Sequence, residues 1–522
     1  MTSGLHHITA ITRNIQANVD FYVGFLGLRL VKRTAGFEDA AQLHLFYGDG
    51  AATPGSLVTF LAWEGGSPGR VGHGAPSEIA FAIRAPAIGF WLTRALQKGV
   101  AAMGPVMEFG EPVLRLTDPD GIIIKLVGTD SLPPGAAWPA SGIPVGDAIC
   151  RLRGATILSE QVQATADFLE HHMGFRRTGH DGTTTRLVSD AGDAIDIRDA
   201  SGFWPAAPGT GTIDHVAVRA TDRATVEAVN ATLSAEGNVS TNAHDRNYFY
   251  SLYVREPGGT LIELASDGPG FATDESVETL GTTLFVPKHF RLPASEVVPM
   301  LPQFGLPGEP RILYRDLPFV HRVNEADDPD GSTLVLLHGT GGSELDLLPF
   351  GRAVAPRATL IGVRGRVTEG ESLRFFRRFS ETSFDQADIA AEAEAFAAFV
   401  DGAVSAYGLD AGRMTFVGYS NGANMLAAIL RLQPGVIGSA VLLRPMDVLE
   451  TPPPMDLENI GLLLVSGSDD PFHAASVTLA DRLRGEGASL TAETVDAGHP
   501  LSDADRDVVR SWLTALDRQD GR

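Results

Sequence analysis

One phrase recurs in this chain and restricts what it can fold into. A short alternating or apolar strand, a helix with one apolar face, further strands, a turn rich in Gly, Pro or Asp, and a last strand occur four times over. The copies open at "HHITAITRN", "SEIAFAIRA", "LRGATILSE" and "IDHVAVRAT". Their helices are "ANVDFYVGFLGL", "IGFWLTRALQKG", "ATADFLEHHMGF" and "ATVEAVNATLSAEG". The turn glycines before the last strands are Gly55, Gly121, Gly192 and Gly259, so the period is roughly 70 residues and the repeat is no short solenoid. The unit is a βαβββ module used four times.

The pattern changes after about residue 305. "GLPGEPRILYRDLPFVHR" reads as a Pro/Gly-bearing connector leading into an edge strand. "STLVLLHGTGG" reads as a buried strand ending in a glycine-rich loop, and "ATLIGVRG", "MTFVGYS", "SAVLLRP" and "GLLLVSGSDD" alternate with helical stretches. That grammar predicts a mostly parallel sheet with crossover helices. The expected division is modules one and two over 1–135, modules three and four over 148–300, a connector over 300–325, and the parallel-sheet α/β domain over 325–520.

The stretch "LHHITAITRNIQANVDFYVGFLGLRLVKRT" resembles the start of a vicinal-oxygen-chelate (glyoxalase-like) protein, and more narrowly a ring-cleaving hydroquinone dioxygenase. "RNYFYSLYVREPGGTLIELASDGPGF" is similar to the final module of that group. The resemblance implies an α+β fold of four βαβββ modules. "LHGTGGSELDLLPF" and "VRGRVTEGESLRFFRR" resemble carboxylesterases of the phospholipase/carboxylesterase group, which implies an α/β-hydrolase fold for the second part.

Aligning the modules by their first strands puts His7, Glu78, Gly154 and His215 in one position. Aligning the last strands by their turn glycines puts Thr59, Lys125, Asp196 and Glu263 in another. Two histidines and one glutamate survive as a set, all from modules one and four. Two neutral imidazoles and a carboxylate on one face leave three metal positions open, the facial triad of non-haem Fe(II) oxygenases. Such a site admits a substrate oxygen and dioxygen together. A glyoxalase or epimerase of this fold would use a fourth ligand, and Thr59 cannot supply a charge. Glu78 and Asp196 belong to no complete set.

The dioxygenase resemblance implies helpers around this site. His6 would lie behind the ligands and move protons to or from substrate or bound oxygen, while Arg246 and Tyr253 would face the ring and its anionic oxygen. His44 also recurs in that group and reads as structural, and His171 and His172 read as a solvated helix face.

"FVGYSNGANMLAAIL" holds Gly-x-Ser-x-Gly between a strand and a helix, which predicts a nucleophile elbow at Ser420. "LLLVSGSDDPF" supplies the acid, Asp470 ahead of Asp469, and "VDAGHPLS" supplies the base, His499. The order Ser, Asp, His is that of α/β-hydrolases. The oxyanion hole is expected from the backbone N–H groups of Asn421 and Thr340, with His338 structural. The arginines of "LRFFRR" could bind an acidic substrate or form a solvated helix end.

Composition narrows the setting. Lys and Arg number 41 against 64 Asp and Glu, a formal charge of −23 that repels nucleic-acid phosphates. Cys150 is the single cysteine, so no intrachain disulfide can form, as suits a reducing compartment. No signal peptide is evident in "MTSGLHHIT" and the apolar runs are too short to span a bilayer, so a cytoplasmic, membrane-free protein is expected.

The expected function is bifunctional. An Fe(II)-dependent ring-cleaving dioxygenase would take a small hydroquinone-like or catechol-like aromatic and O2. A serine carboxylesterase would take an acyl ester, a lactone or the ring-cleavage product, in one pathway with the first. The alternatives are a glyoxalase-type lyase using a thiol and Zn2+ or Ni2+, fused to a thioesterase or esterase, and a metal-free aromatic-binding module fused to an esterase.

Overall fold

A computed structural model describes residues 4–519 except 133, 134, 137, 238, 239, 312, 313, 454, 456 and 459. The chain divides into two compact units, Met1–Arg291 with Phe304–Arg311, and Leu292–Gln303 with Ile312–Arg522.

The first unit contains two curled sheets, and neither pairs module one with module two or module three with module four. The nine-stranded sheet joins modules one and four through Leu5–Thr12, which runs antiparallel to Ile213–Ala220. The eight-stranded sheet joins modules two and three through Ala75–Ile83 and Arg151–Ser159. Within each module the first strand pairs in parallel with the last, leaving its other edge open for a partner module. The segments 1–135 and 148–300, set apart by sequence, therefore each contribute half of both sheets. A short strand, Leu284–Phe285, pairs with Arg29–Ala35 and completes the larger sheet.

Local chemistry starts the helices. Asn14 accepts from the Ala17 N–H and Asp222 from the Thr225 N–H, each capping an orphan donor. Trp91 lies fully buried on Ile88–Lys98, and Phe168 and Leu169 are buried on Val162–His172, so each helix turns its apolar face inward.

The second unit is a seven-stranded sheet in the order His321–Asn324, Thr359–Val363, Thr333–Leu337, Met414–Tyr419, Ser439–Leu443, Gly461–Gly467, Ser489–Val495. Only His321–Asn324, which lies inside the stretch read as connector, runs antiparallel. Helices Gln386–Tyr407, Asn421–Leu432 and His473–Gly485 cover one face with a core that includes Phe396, Met425 and Leu479. Leu348–Val354 and Asp503–Gln519 cover the other with Phe350 and Val509. Among the described residues no helix is long and apolar enough to cross a membrane.

Residues 292–303 add a small cap to this second unit. Ala294–Val297 packs on the helix Leu348–Val354, with Val297 and Leu301 buried. Burying two such side chains contributes roughly 3 kcal/mol before ordering costs. A hydrolase fragment that begins at Leu292 is therefore expected to melt about 5 °C above one that begins at Leu317, by differential scanning fluorimetry. Equal melting points would show that 292–303 adds nothing to this unit.

Candidate active sites

The strand register builds the first site. Ala217 lies opposite both His7, on the neighbouring strand on one side, and Glu263, on the other. His215 is two residues from Ala217 and so projects from the same face. His7 Nε2 and His215 Nε2 lie 3.0 and 2.9 Å from Glu263 Oε2 and 3.4 Å from each other. All three side chains are buried. Among the described residues this is the one His/Cys/Asp/Glu cluster with metal-ligand spacing.

The other polar atom of each group is already engaged. His215 Nδ1 is 2.7 Å from Asp214 Oδ2, His7 Nδ1 is 2.8 Å from His6 Nδ1, and the Ser251 hydroxyl donates to Glu263 Oε1. This leaves two Nε2 atoms and one carboxylate oxygen converging, and no donor meets Glu263 Oε2 with hydrogen-bond geometry. A buried carboxylate oxygen without a donor is costly unless a cation meets it, so the donor set fits a metal ion.

Electrostatics separates the two histidines. Burial pushes His7 below the usual imidazole range, with Glu263 only partly opposing. Burial acts the same way on His215, but Asp214 and Glu263 outweigh it and raise the group to about 9. The difference follows from the partner at Nδ1, a carboxylate in one case and a second imidazole in the other. Burial raises Glu263, and the two histidines reverse it, holding the carboxyl well below its usual range.

A cavity of about 190 Å3 opens on this cluster, walled by Phe37, Phe46, Leu61, Phe249 and Phe285. An apolar cavity of about 150 Å3 holds benzene, so this one suits a single substituted ring. Arg246 and Tyr253 both line it. Tyr253 lies opposite Glu263 across the strands and meets the His215 ring edge-on at 5.4 Å. The Arg246 guanidinium sits 4.6 Å from the Phe37 ring and 5.5 Å from that of Tyr253.

His6 stands behind His7 and against the Phe249 ring at 5.1 Å, and is absent from the cavity lining. One expectation needs correction. His44, read as structural, lines the cavity. Its Nε2 is 2.9 Å from Thr59 Oγ1, which is 2.9 Å from Thr9 Oγ1, and burial lowers it to about 3, so it is neutral. Asp214 and Ser251 escaped sequence reasoning altogether. Asp214 is adjacent to His215, and Ser251 becomes visible only through the cross-strand fold.

The equivalent positions of modules two and three hold their own cations. Lys125 Nζ lies 3.4 Å from Glu78, 3.0 Å from Glu108 and 3.8 Å from Asp196. Arg186 pairs with both oxygens of Asp196, at 2.7 and 2.8 Å. Gly154 has no room for a ligand, because a Cβ there would lie 2.3 Å from Ala194 O. His172, on the helix read as solvated, is 3.2 Å from Glu236. Cys150 is half-buried and burial raises its thiol, which disfavours the thiolate.

The second site forms where Met414–Tyr419 turns into Asn421–Leu432. Ser420 has φ 50° and ψ −110°, strained for a residue with a side chain. Gly422 permits the turn, since a Cβ there would lie 2.2 Å from Leu337 O. His499 Nε2 is 3.0 Å from Ser420 Oγ, and His499 Nδ1 is 3.0 Å from Asp470 Oδ2. Asp470 is fully buried, whereas Asp469 is exposed and outside this chain of bonds. Asn421 is buried and its Oδ1 accepts from the Phe375 N–H, and Thr340 is exposed on the facing loop. His338 is tied to Gly339 O and the Gly365 N–H.

Arg444, also absent from the sequence reading, sits beneath the triad. It pairs with both oxygens of Asp505 at 2.8 and 3.0 Å, with both side chains fully buried. Its Nε donates to Gly498 O, the residue before the base, and lies 3.8 Å from Asp470.

Residues 4–126 and 151–264 match the sequence profile of the Glyoxalase/Bleomycin resistance protein/Dioxygenase superfamily. The chain is 38% identical over 293 residues to "Putative ring-cleaving dioxygenase MhqO" of Bacillus subtilis, covering 55% of this chain and 92% of that one. It is 30% identical over 296 residues to "Chlorohydroquinone/hydroquinone 1,2-dioxygenase" of Sphingobium indicum, covering 54% and 91%. A further 183 residues are 38% identical to "Putative hydrolase MhqD" of Bacillus subtilis, covering 35% and 92%. With this module pattern, the chain belongs to the Glyoxalase/Bleomycin resistance protein/Dioxygenase superfamily, joined to an α/β-hydrolase half.

Proposed function

We infer that the first unit is an Fe(II)-dependent dioxygenase that opens hydroquinone-like or catechol-like rings, and that the second is a serine hydrolase of the carboxylesterase type. The observation that carries the first part is the three-ligand cluster with Thr59 in the place of a fourth ligand. Thr59 holds the register position of Glu263 yet is turned into hydrogen bonds with Thr9 and His44. A lyase of this fold that needs a second carboxylate has none here. A metal-free binding module would gain nothing from three ligand atoms gathered within 3.4 Å of one another beneath its cavity. The hydroquinone dioxygenase relative supports the substrate class.

His7, His215 and Glu263 would hold the iron, with His6, Asp214 and Ser251 fixing their orientation. Iron would supply the redox chemistry that joins dioxygen to the ring. Arg246 stabilises a phenolate oxygen by charge, and Tyr253, kept protonated by burial and by Glu263, donates a hydrogen bond. The phenylalanine walls stack on the ring and exclude water.

In the second unit His499 takes the proton of Ser420 as the hydroxyl attacks an acyl carbon, while Asp470 holds the imidazole in the tautomer that can accept it. Backbone N–H groups of Asn421 and Thr340 receive the developing oxyanion.

His7→Ala, His215→Ala and Glu263→Ala are each expected to abolish iron binding, by elemental analysis, and oxygen uptake with a hydroquinone panel. Glu78→Gln and Asp196→Asn are expected to keep the iron. Thr59→Glu is expected to keep a bound metal while oxygen uptake falls, because a fourth ligand fills a reacting position. Full oxygen uptake in Thr59→Glu would remove the argument from ligand number.

Ser420→Ala is expected to lose fluorophosphonate labelling and to slow aryl-ester hydrolysis by roughly 10^4–10^6-fold. Asp470→Asn is expected to cost far more than Asp469→Asn. An active Ser420→Ala enzyme would end the serine assignment.

A further inference from the structure

The segment Ser372–Arg374 brings a buried charge to the serine site. It pairs with Val367–Glu369 and is tied to both residues given to the oxyanion hole. Arg374 Nη1 donates to Thr340 Oγ1 at 2.6 Å, and the next residue, Phe375, donates its N–H to Asn421 Oδ1 at 2.8 Å. The Gly341 N–H donates to Leu373 O at 2.9 Å. Gly339, beside Thr340, is so close to the nucleophile that a Cβ there would lie 3.5 Å from that of Ser420.

The charge on this guanidinium is poorly matched. The Arg374 side chain is 3% exposed, and Glu369, its ion-pair partner, stands 3.5 Å from Nε. Glu369 is closer to Arg378, whose Nε contacts both its oxygens at 3.2 and 2.9 Å. Burial foremost, and then the repulsion of Arg378, brings Arg374 down to about 10, so it remains a cation at neutral pH. Two arginines share one carboxylate here, and the more buried of them has the weaker share. A bound anion would complete its pairing.

We propose that Arg374 determines the specificity of the serine site and that its substrates are carboxylate-bearing acyl compounds, esters or lactones with the anion a few bonds from the scissile carbonyl. This deepens the reading of Ser420 as a hydrolytic nucleophile and rests on it. Ser420 Oγ bonds to the acyl carbon, the bond to the leaving oxygen breaks, and the serine proton passes through His499 to that oxygen. Water then cleaves the acyl-serine, releasing a second carboxylate and a proton and restoring the hydroxyl. Arg374 pairs with the spectator carboxylate throughout. The supplying reaction is of a class that sets a carboxylate near an ester carbonyl, as oxidative opening of a phenolic ring does where the second cleaved carbon carries an alkoxy group.

The test compares mono-4-nitrophenyl glutarate with 4-nitrophenyl pentanoate on the full-length protein, reading 4-nitrophenolate release. The wild type is expected to favour the glutarate in kcat/KM. Arg374→Gln is expected to lower the glutarate-to-pentanoate ratio about 10–100-fold, chiefly through KM, the size of one charge-assisted pair. Arg374→Lys is expected to recover part of that ratio. Glu369→Gln, a change at an exposed carboxylate, is expected to lower KM for the glutarate by removing the competing anion, which a purely structural Arg374 would not do. An unchanged ratio in Arg374→Gln, with both esters slowed alike, would make Arg374 a support for the Thr340 loop and overturn the proposal. So would a wild type that discriminates against the glutarate. Turnover of neither ester by the wild type, without fluorophosphonate labelling, would instead fell the hydrolase reading beneath it.

Discussion

The antiparallel pairing of Leu5–Thr12 with Ile213–Ala220 is the constraint on which the first unit depends. Each module alone ends in an open strand edge, with its concave face half complete. Pairing first strand to first strand closes that edge and sets Thr9 opposite His215 and Ala217 opposite His7. The two histidines then stand two residues apart across a shared ladder, and Glu263 joins from the next strand at the level of Ala217. A slip of one residue would turn one histidine to the opposite face and leave no ligand set. The site is thus a property of register, set by some 200 residues of intervening chain only in that they return the fourth module to the first.

The second sheet shows what the same frame does with cationic side chains at its centre. Its corresponding positions carry Glu78, Lys125 and Asp196, and the lysine ammonium takes the central place among Glu78, Glu108 and Asp196. Arg115 and Arg186 neutralise what remains, with Arg115 2.9 Å from Glu78. A buried group of carboxylates needs positive charge in either sheet. Side chains provide it in one. In the other, Glu263 is met by two imidazoles, and these three groups are the set that would hold a divalent ion.

Much of this was legible because the repeat supplied an internal alignment. Counting from Gly259 and its counterparts located Glu263 and Thr59, and the fold places them at the same strand level. The elbow was legible because Gly-x-Ser-x-Gly demands a local conformation, and Gly422 indeed has no room for a side chain. What stayed hidden depended on nonlocal geometry. His6 and His7 are neighbours on one strand, and it is a register shift between Leu5 and His7 that lets their rings meet at Nδ1. His44 reaches the cavity from a strand two removed from His7, so no motif announces it. Which modules share a sheet across 1–135 and 148–300 stayed hidden, because chain order says nothing about which module closes which edge. Residues 292–303, read as the end of the chelate fold and the start of the connector, lack any pattern of their own and take their structure from the helix they cap.

The hydrolase site shows how strain and charge are held together. Ser420 sits in a conformation that costs roughly 1–3 kcal/mol, and the surrounding sheet and helix must over-determine it. The base is less constrained, since His499 comes from a loop and is about one-third exposed. Arg444 supplies the missing constraint. It follows the strand Ser439–Leu443 with a φ of 55°, Asp505 neutralises it, and Nε holds the carbonyl just before His499. The Ser502 N–H and hydroxyl also donate to Asp505, so the base loop is fastened on both sides of His499 to one buried ion pair. Removing either charge would leave the other uncompensated in the interior, a loss of about 3–5 kcal/mol. The imidazole can therefore stay partly exposed while its backbone is fixed, because the rigidity lies in a buried pair outside the Ser420–His499–Asp470 chain of bonds.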